Sequence, residues 1–213
     1  RDENLRLLFL SYRISDLKLL EKFTNLEELN LLRLPFPEND IPKWMNLLAK
    51  FGIIDASKRN ELDLTPLTKL KNLKSIHISA SKVKSLKPLV KMKNLQSLGL
   101  NEIPHDKIQY ISKLTNLQGI HFTKTGITDL ELIRGLTQLK SIGINQEPVT
   151  DLSPLKELTN LQEIGLQYCK VSDLEPLRNL ANLDLIFLSN CNNISSLEPL
   201  KGLKNLKELI IQK

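Results

Sequence analysis

Apolar positions along this chain recur as one phrase, L-x-x-L-x-L, with polar residues between them. LKNLKSIHI at Leu70–Ile78 returns as MKNLQSLGL at Met92–Leu100, LTNLQGIHF at Leu114–Phe122, LTQLKSIGI at Leu136–Ile144, LTNLQEIGL at Leu158–Leu166, LANLDLIFL at Leu180–Leu188 and LKNLKELII at Leu203–Ile211. The second leucine of the phrase serves as an anchor. Leu73, Leu95, Leu117, Leu139, Leu161 and Leu183 follow one another at intervals of 22 residues, and Leu206 follows at 23. Earlier copies sit at Leu5 and Leu26, with a degenerate one near Leu48. Ten copies at a near-constant interval predict a stacked repeat architecture rather than a conventional core.

Within each copy the alternation has the period of a β-strand. Residues three and five after the anchor then point inward, and those two, four and six after it point outward. A second phrase follows the strand, VTDLSPLKEL at Val149–Leu158 and VSDLEPLRNL at Val171–Leu180, with weaker forms at Ile127 and Val83. Asp129, Asp151 and Asp173 stand where a carboxylate caps the free amides of a short helical turn, and the proline that follows in two of them presets φ. No single copy can bury its apolar side alone, so the copies must stack. The expected fold is α/β: a right-handed solenoid with a curved parallel sheet of about ten strands on its concave side and short 3-10 or α turns on its convex side. Residues 1–213 form one such domain, irregular at 33–64, and because the sequence opens and closes on strands, polar end caps are expected to be missing from it.

Composition agrees with a leucine-built core. Leucine supplies 46 of 213 residues while aromatics are only 5%, and no apolar run approaches the roughly 18 residues of a membrane-spanning helix, so membrane insertion is not expected. The net charge of +6 comes from 30 basic and 24 acidic residues. From Leu64 to Asn101 there is no acidic residue, and Lys69, Lys71, Lys74, Lys82, Lys84, Lys87, Lys91 and Lys93 fall mostly on the convex or flanking sides. That stretch reads as a solvated lysine face, with an anionic glycan or phosphate-bearing partner as the alternative. A nucleic-acid partner is disfavoured, because the aromatic residues that stack on bases are missing there. The chain carries no phosphate-binding glycine loop, no His-x-x-x-His helix and no nucleophile elbow. Neither catalysis nor a cofactor is expected.

The phrases I-x-D-L-x-P-L and L-x-x-L-x-N-L at this spacing resemble the leucine-rich repeat family, and in particular its bacterial internalin type. The resemblance covers nearly the whole chain. It implies a non-catalytic protein-binding module of an exported or surface protein, extracellular rather than cytoplasmic, with a host or envelope protein as partner; the alternative is an intracellular scaffold similar to the leucine-rich regulators of phosphatases. In internalin-type repeats an asparagine commonly stands eight residues after the anchor. Here those positions hold Arg13, Ser81, Ile103, Thr125, Glu147, Cys169 and Cys191. The two cysteines occupy one column, one repeat apart. They read as small buried ladder groups, although strands about 4.8 Å apart also leave a disulfide within reach.

Two further departures carry expectations. Asp40, Ile41-Pro42 and Gly52 bound a capped helix with Ile41, Trp44, Met45 and Leu48 along one stripe, either packed on the core or protruding toward a ligand. Pro104-His105 replaces a loop residue and a core valine, so His105 is expected to be a partly buried structural histidine, with Ile103 replacing the lost apolar contact.

If the outward positions tile the concave sheet, the middle column runs Phe9, Asn30, Gly52, His77, Gly99, His121, Gly143, Gly165, Phe187 and Ile210. The flanking columns are mainly Ser, Asn, Gln, Thr and Glu in the middle repeats and apolar toward the ends. Leu185 and Phe187 are adjacent outward apolar groups of the kind that anchor partners, and Tyr168 lies just past the neighbouring strand. His77 and His121 flank Gly99, about 10 Å apart at two strand spacings, which is wide for a shared metal. The candidate partner-binding residues are therefore Phe187, Leu185, Tyr168, His121 and His77, with no catalytic and no metal site.

Overall fold

A computed structural model describes residues 5–11, 17–32, 61–79 and 83–213. Nine strands form one parallel sheet in strict chain order: β1 (Leu7–Ser11), β2 (Glu28–Leu32), β3 (Ser75–Ser79), β4 (Ser97–Asn101), β5 (Gly119–Thr123), β6 (Ser141–Asn145), β7 (Glu163–Gln167), β8 (Leu185–Ser189) and β9 (Glu208–Gln212). From β3 to β8 the pairs are in register at the repeat interval, so Ile76 meets Leu98, Leu98 meets Ile120 and Ile120 meets Ile142. These inward residues are buried from β2 to β8, together with each anchor leucine from Leu26 to Leu183 that lies among the described residues. A parallel sheet needs a crossover after every strand, and here the crossover is a short 3-10 turn such as Thr65–Lys69, Ser153–Leu155 or Glu175–Leu177.

Each turn begins where the second phrase places its acid. Asp129 accepts from the Glu131 N–H, Asp151 from Ser153 and Asp173 from Glu175, at 2.7–3.1 Å. Asp63, Ser85 and Ser196 do the same in other copies. In all of these copies but that of Asp129, the proline one residue further on sits where its missing N–H costs nothing.

Nine strands among the described residues agree with the expected sheet of about ten. β2 pairs directly with β3, Asn30 against His77, so no strand from the degenerate copy near Leu48 stands between them. Gly52, expected in the third place of the middle column, lies outside the described residues. The helix expected over Asp40–Gly52, with Trp44 and its stripe, lies outside the described residues. The repeat resumes at Leu62, which bridges to Val83. His105 is exposed rather than partly buried, because Ile103 and Ile108 are buried in its stead and turn it outward at the start of a 3-10 turn.

Two hydrogen-bond systems tie one repeat to the next beyond the sheet. The asparagine immediately before most anchors, Leu139 with Gln138 excepted, donates to a backbone carbonyl one repeat back: Asn94 to Lys71, Asn116 to Lys93, Asn160 to Thr137 and Asn182 to Thr159, at 2.7–2.8 Å. The amide ladder is thus present, but one residue before the anchor instead of eight after it. The second system is Glu147, only 2% exposed, whose carboxylate accepts from the Thr125 N–H and hydroxyl and from the Gly126 and Ile127 N–H groups. Four donors on one side chain suit an acceptor-only carboxylate.

Replacing Glu147 by Ala leaves those buried donors unmatched and should lower stability by about 3 kcal/mol. The Asn160→Ala change removes one exposed bond and should cost about 1 kcal/mol. Urea unfolding of both variants checks the ranking; an equal loss at the two positions would contradict it.

Candidate functional site

Because the inward positions are filled by the chain's own leucines and isoleucines, chemistry on this fold is carried by the outward columns. Their order follows from the register: Leu7, Glu28, Ser75, Ser97, Gly119, Ser141, Glu163, Leu185 and Glu208 in the first, and Phe9, Asn30, His77, Gly99, His121, Gly143, Gly165, Phe187 and Ile210 in the second. The middle of the floor is small and polar, and both ends are apolar.

The glycines of the second column have distinct reasons. At Gly99 a side chain would collide with the imidazole of His77, and at Gly143 with that of His121. Each histidine therefore lies across the glycine of the following strand, and the missing Cβ is what seats the ring. Gly165 is different, with nothing within 4 Å of the place a Cβ would occupy. The floor is therefore open over β7, between His121 on one side and Phe187 on the other. Packing against this floor desolvates the half-buried His77 and lowers its pKa, and the same effect on the floor side of the more exposed His121 ring, with a smaller contribution from His77, lowers that of His121, while Glu163 opposes it.

Leu185 and Phe187 are half-buried on β8 and stand beside Glu208 and Ile210 of β9. Tyr168 is 54% exposed immediately after β7, with φ at 48° and its N–H bonded to the Ser189 carbonyl at the end of β8. The same left-handed position recurs at Glu102, Lys124, Gln146 and Asn190, so it belongs to the strand-end turn; an exposed aromatic there is peculiar to Tyr168. His77 and His121 share the column with Gly99 between them, separate from the β8 group. Phe9, in the middle column but not among the expected contacts, is 61% exposed, and Leu7 beside it is 43% exposed. Asn145 Oδ1, at the end of β6, is buried with no donor on it among the described residues.

The lysine stretch lies on the turn side. Lys84, Lys87 and Lys91 line a cleft of about 260 Å³ with Asp63 among them, and Lys74 pairs with Glu27 at 2.8 Å, so part of the excess charge is matched locally.

A family model described as leucine-rich repeats, in two copies, matches residues 159–202. No curated protein gives a significant match. Among solved structures, internalin C2 of Listeria monocytogenes is 26% identical over 75% of this chain and 81% of its own, with a TM-score of 0.55. Internalin F of the same species is 23% identical over 93% of this chain and 70% of its own, with a TM-score of 0.57. The chain resembles the internalins and other leucine-rich repeat proteins, whose solenoid fold it shares. A third neighbour, the functional domain of Listeria InlJ, is 16% identical over 96% of this chain and 58% of its own at a TM-score of 0.52, and is described as including a cysteine ladder. In this chain the column eight residues after the anchors brings Cys169 and Cys191 together, with sulfurs 3.0 Å apart and both thiols free. Among the described residues no helix is long and apolar enough to cross a membrane.

The seating of the rings yields a test. In the wild type, His121 should titrate below the ordinary histidine value of about 6.5. The Gly143→Ala change lifts the ring off the floor into water, which removes the burial that disfavours the charged form, so the His121 pKa should rise toward that value. NMR titration of the imidazole resonances measures it, and an unchanged pKa would contradict the seating.

Proposed function

We propose that this chain is a non-catalytic module of a bacterial exported or surface protein and that it takes a host or envelope protein on its concave face. A leucine-rich repeat fold serves generally as a protein-interaction module. The observation that carries the finer reading is the open floor at Gly165, between the seated His121 ring and the Phe187 side chain. A partner segment can approach the backbone there while Leu185, Phe187 and Tyr168 supply apolar contact, and the Ser, Asn and Gln columns supply hydrogen bonds. His77 and His121 contribute neutral, ring-shaped contacts toward the middle of the face. Partly buried apolar anchors surrounded by polar groups are where binding energy concentrates. The likeness to internalin C2 and internalin F supports a location outside the cell.

Matched baits test this reading. The wild type and a Leu185→Ala/Phe187→Ala variant of preserved fold are presented to envelope and host-surface protein preparations, alongside a Lys87→Ala/Lys91→Ala variant altered on the turn side. A partner of the concave face should bind the apolar variant on the order of thirtyfold more weakly, as loss of a hot spot of about 2 kcal/mol gives, and should bind the lysine variant normally. A partner indifferent to Leu185 and Phe187 but lost with the lysines would overturn the assignment. Fractionation with protease shaving of intact cells checks location: exposure at the surface is the expected result, and a purely cytosolic protein would refute the exported reading.

A further inference from the structure

Cys169 and Cys191 stand eight residues after consecutive anchors, at the ends of β7 and β8. The parallel register that holds Glu163–Gln167 against Leu185–Ser189 extends to them: the Tyr168 N–H bonds to the Ser189 carbonyl, and the two sulfurs come to 3.0 Å. That is closer than two unbonded sulfurs need to pack, and the strand spacing of about 4.8 Å lies within the Cα range of a disulfide. The two thiols are unequal. Cys169 is 6% exposed, whereas Cys191 is only half-buried.

We infer that Cys169 and Cys191 form a reversible, redox-sensitive dithiol site, closed to a disulfide between adjacent repeats by small-molecule disulfides, with Cys191 as the attacking sulfur and Cys169 as the resolving one. The Cys191 thiolate attacks one sulfur of the small disulfide, a new S–S bond forms to Cys191, and one thiolate leaves. Cys169 then gives up its proton to water and attacks the Cys191 sulfur, which expels the second thiolate. The protein loses two electrons and two protons, and the small disulfide is reduced to two thiols.

The electrostatics agree with this order. The hydrogen bond from Cys169 favours the charged form of Cys191 and lowers its pKa, burial opposes it, and hydrogen bonds with the backbone of Cys169 and Ser189 lower it further. Cys169 is pushed strongly upward, first by donating to Cys191 and then by burial. Once Cys191 is bound in the mixed disulfide its charge is gone, and the first of those causes is removed, so Cys169 becomes a competent second nucleophile. The arrangement thus differs from a static thiol ladder, in which sulfurs serve only as packing and hydrogen-bonding groups. The bond would join the two repeats that carry Tyr168, Leu185 and Phe187.

The test treats reduced protein with oxidised glutathione and follows it by intact mass and by peptide mapping without reductant. The wild type should lose the mass of two hydrogens, yield a linked Cys169–Cys191 peptide, close at a rate independent of protein concentration, and reopen with dithiothreitol. Cys169→Ser should accumulate a stable glutathione adduct on Cys191, and Cys191→Ser should form one on Cys169 at least about tenfold more slowly, following the unequal exposure and thiolate character. Serine is a mild change in a column that accepts Thr125, and the wild-type map decides the matter even if a variant folds poorly. Wild-type protein that keeps both thiols, that holds a stable adduct on Cys191, or that links between molecules would overturn the proposal.

Discussion

Everything in this molecule depends on the one-to-one registry of its strands. Each inward residue lies directly beside its counterpart in the next strand, 22 residues on from β3 to β8, so neighbouring repeats bury each other and no repeat is stable by itself. Registry is enforced from several sides at once. The sheet fixes it along the strands, Asn94, Asn116, Asn160 and Asn182 fix it just before the anchors, and Glu147 fixes it in the loop beyond β6 by holding three successive residues of the previous copy. Where stacking ends, so does burial. Leu209 and Ile211 hold inward positions of β9 at the edge of the sheet, and both are exposed.

That division of labour leaves the outward columns free for another purpose. Since stability resides in the inward residues and the ladders, outward side chains can vary at little cost to folding. What they form is a face whose middle is shallow and polar and whose ends present Phe9 and Leu7 on one side and Leu185, Phe187 and Ile210 on the other. The histidine-on-glycine pairs shape this floor from within: His77 and His121 lie flat because Gly99 and Gly143 make room. They leave Gly165 as the place where the floor is bare backbone.

The period of 22 residues made the fold legible, because a repeated strand pattern admits few arrangements other than stacking, and the acids at Asp129, Asp151 and Asp173 marked the turn starts. What was not legible depended on placement across repeats. The asparagine before each anchor was visible in every copy from Asn72 to Asn116, yet its role appears only when its amide is seen against a carbonyl one repeat away. The copy near Leu48 had the right residues at irregular spacing, and direct pairing of β2 with β3 gives it no strand between them. His105 looked inward because its place in the phrase is a valine's, but Ile103 and Ile108 fill the core around it. For the site, the columns were correct wherever the period held. The reason for the glycines was not, since one-dimensional spacing cannot say which way a histidine ring leans, nor that Phe9 is more open than its counterparts.

The central claim is that the concave floor over β7 is where a protein partner sits. It is tested most directly by placing a photo-crosslinking amino acid at Gly165 and, separately, at Gly135 on the turn side, both of which have open space around them, and irradiating intact cells or their surface contacts. A discrete protein adduct from position 165 and none from position 135 is the predicted result. Adducts from position 135 alone would contradict the account.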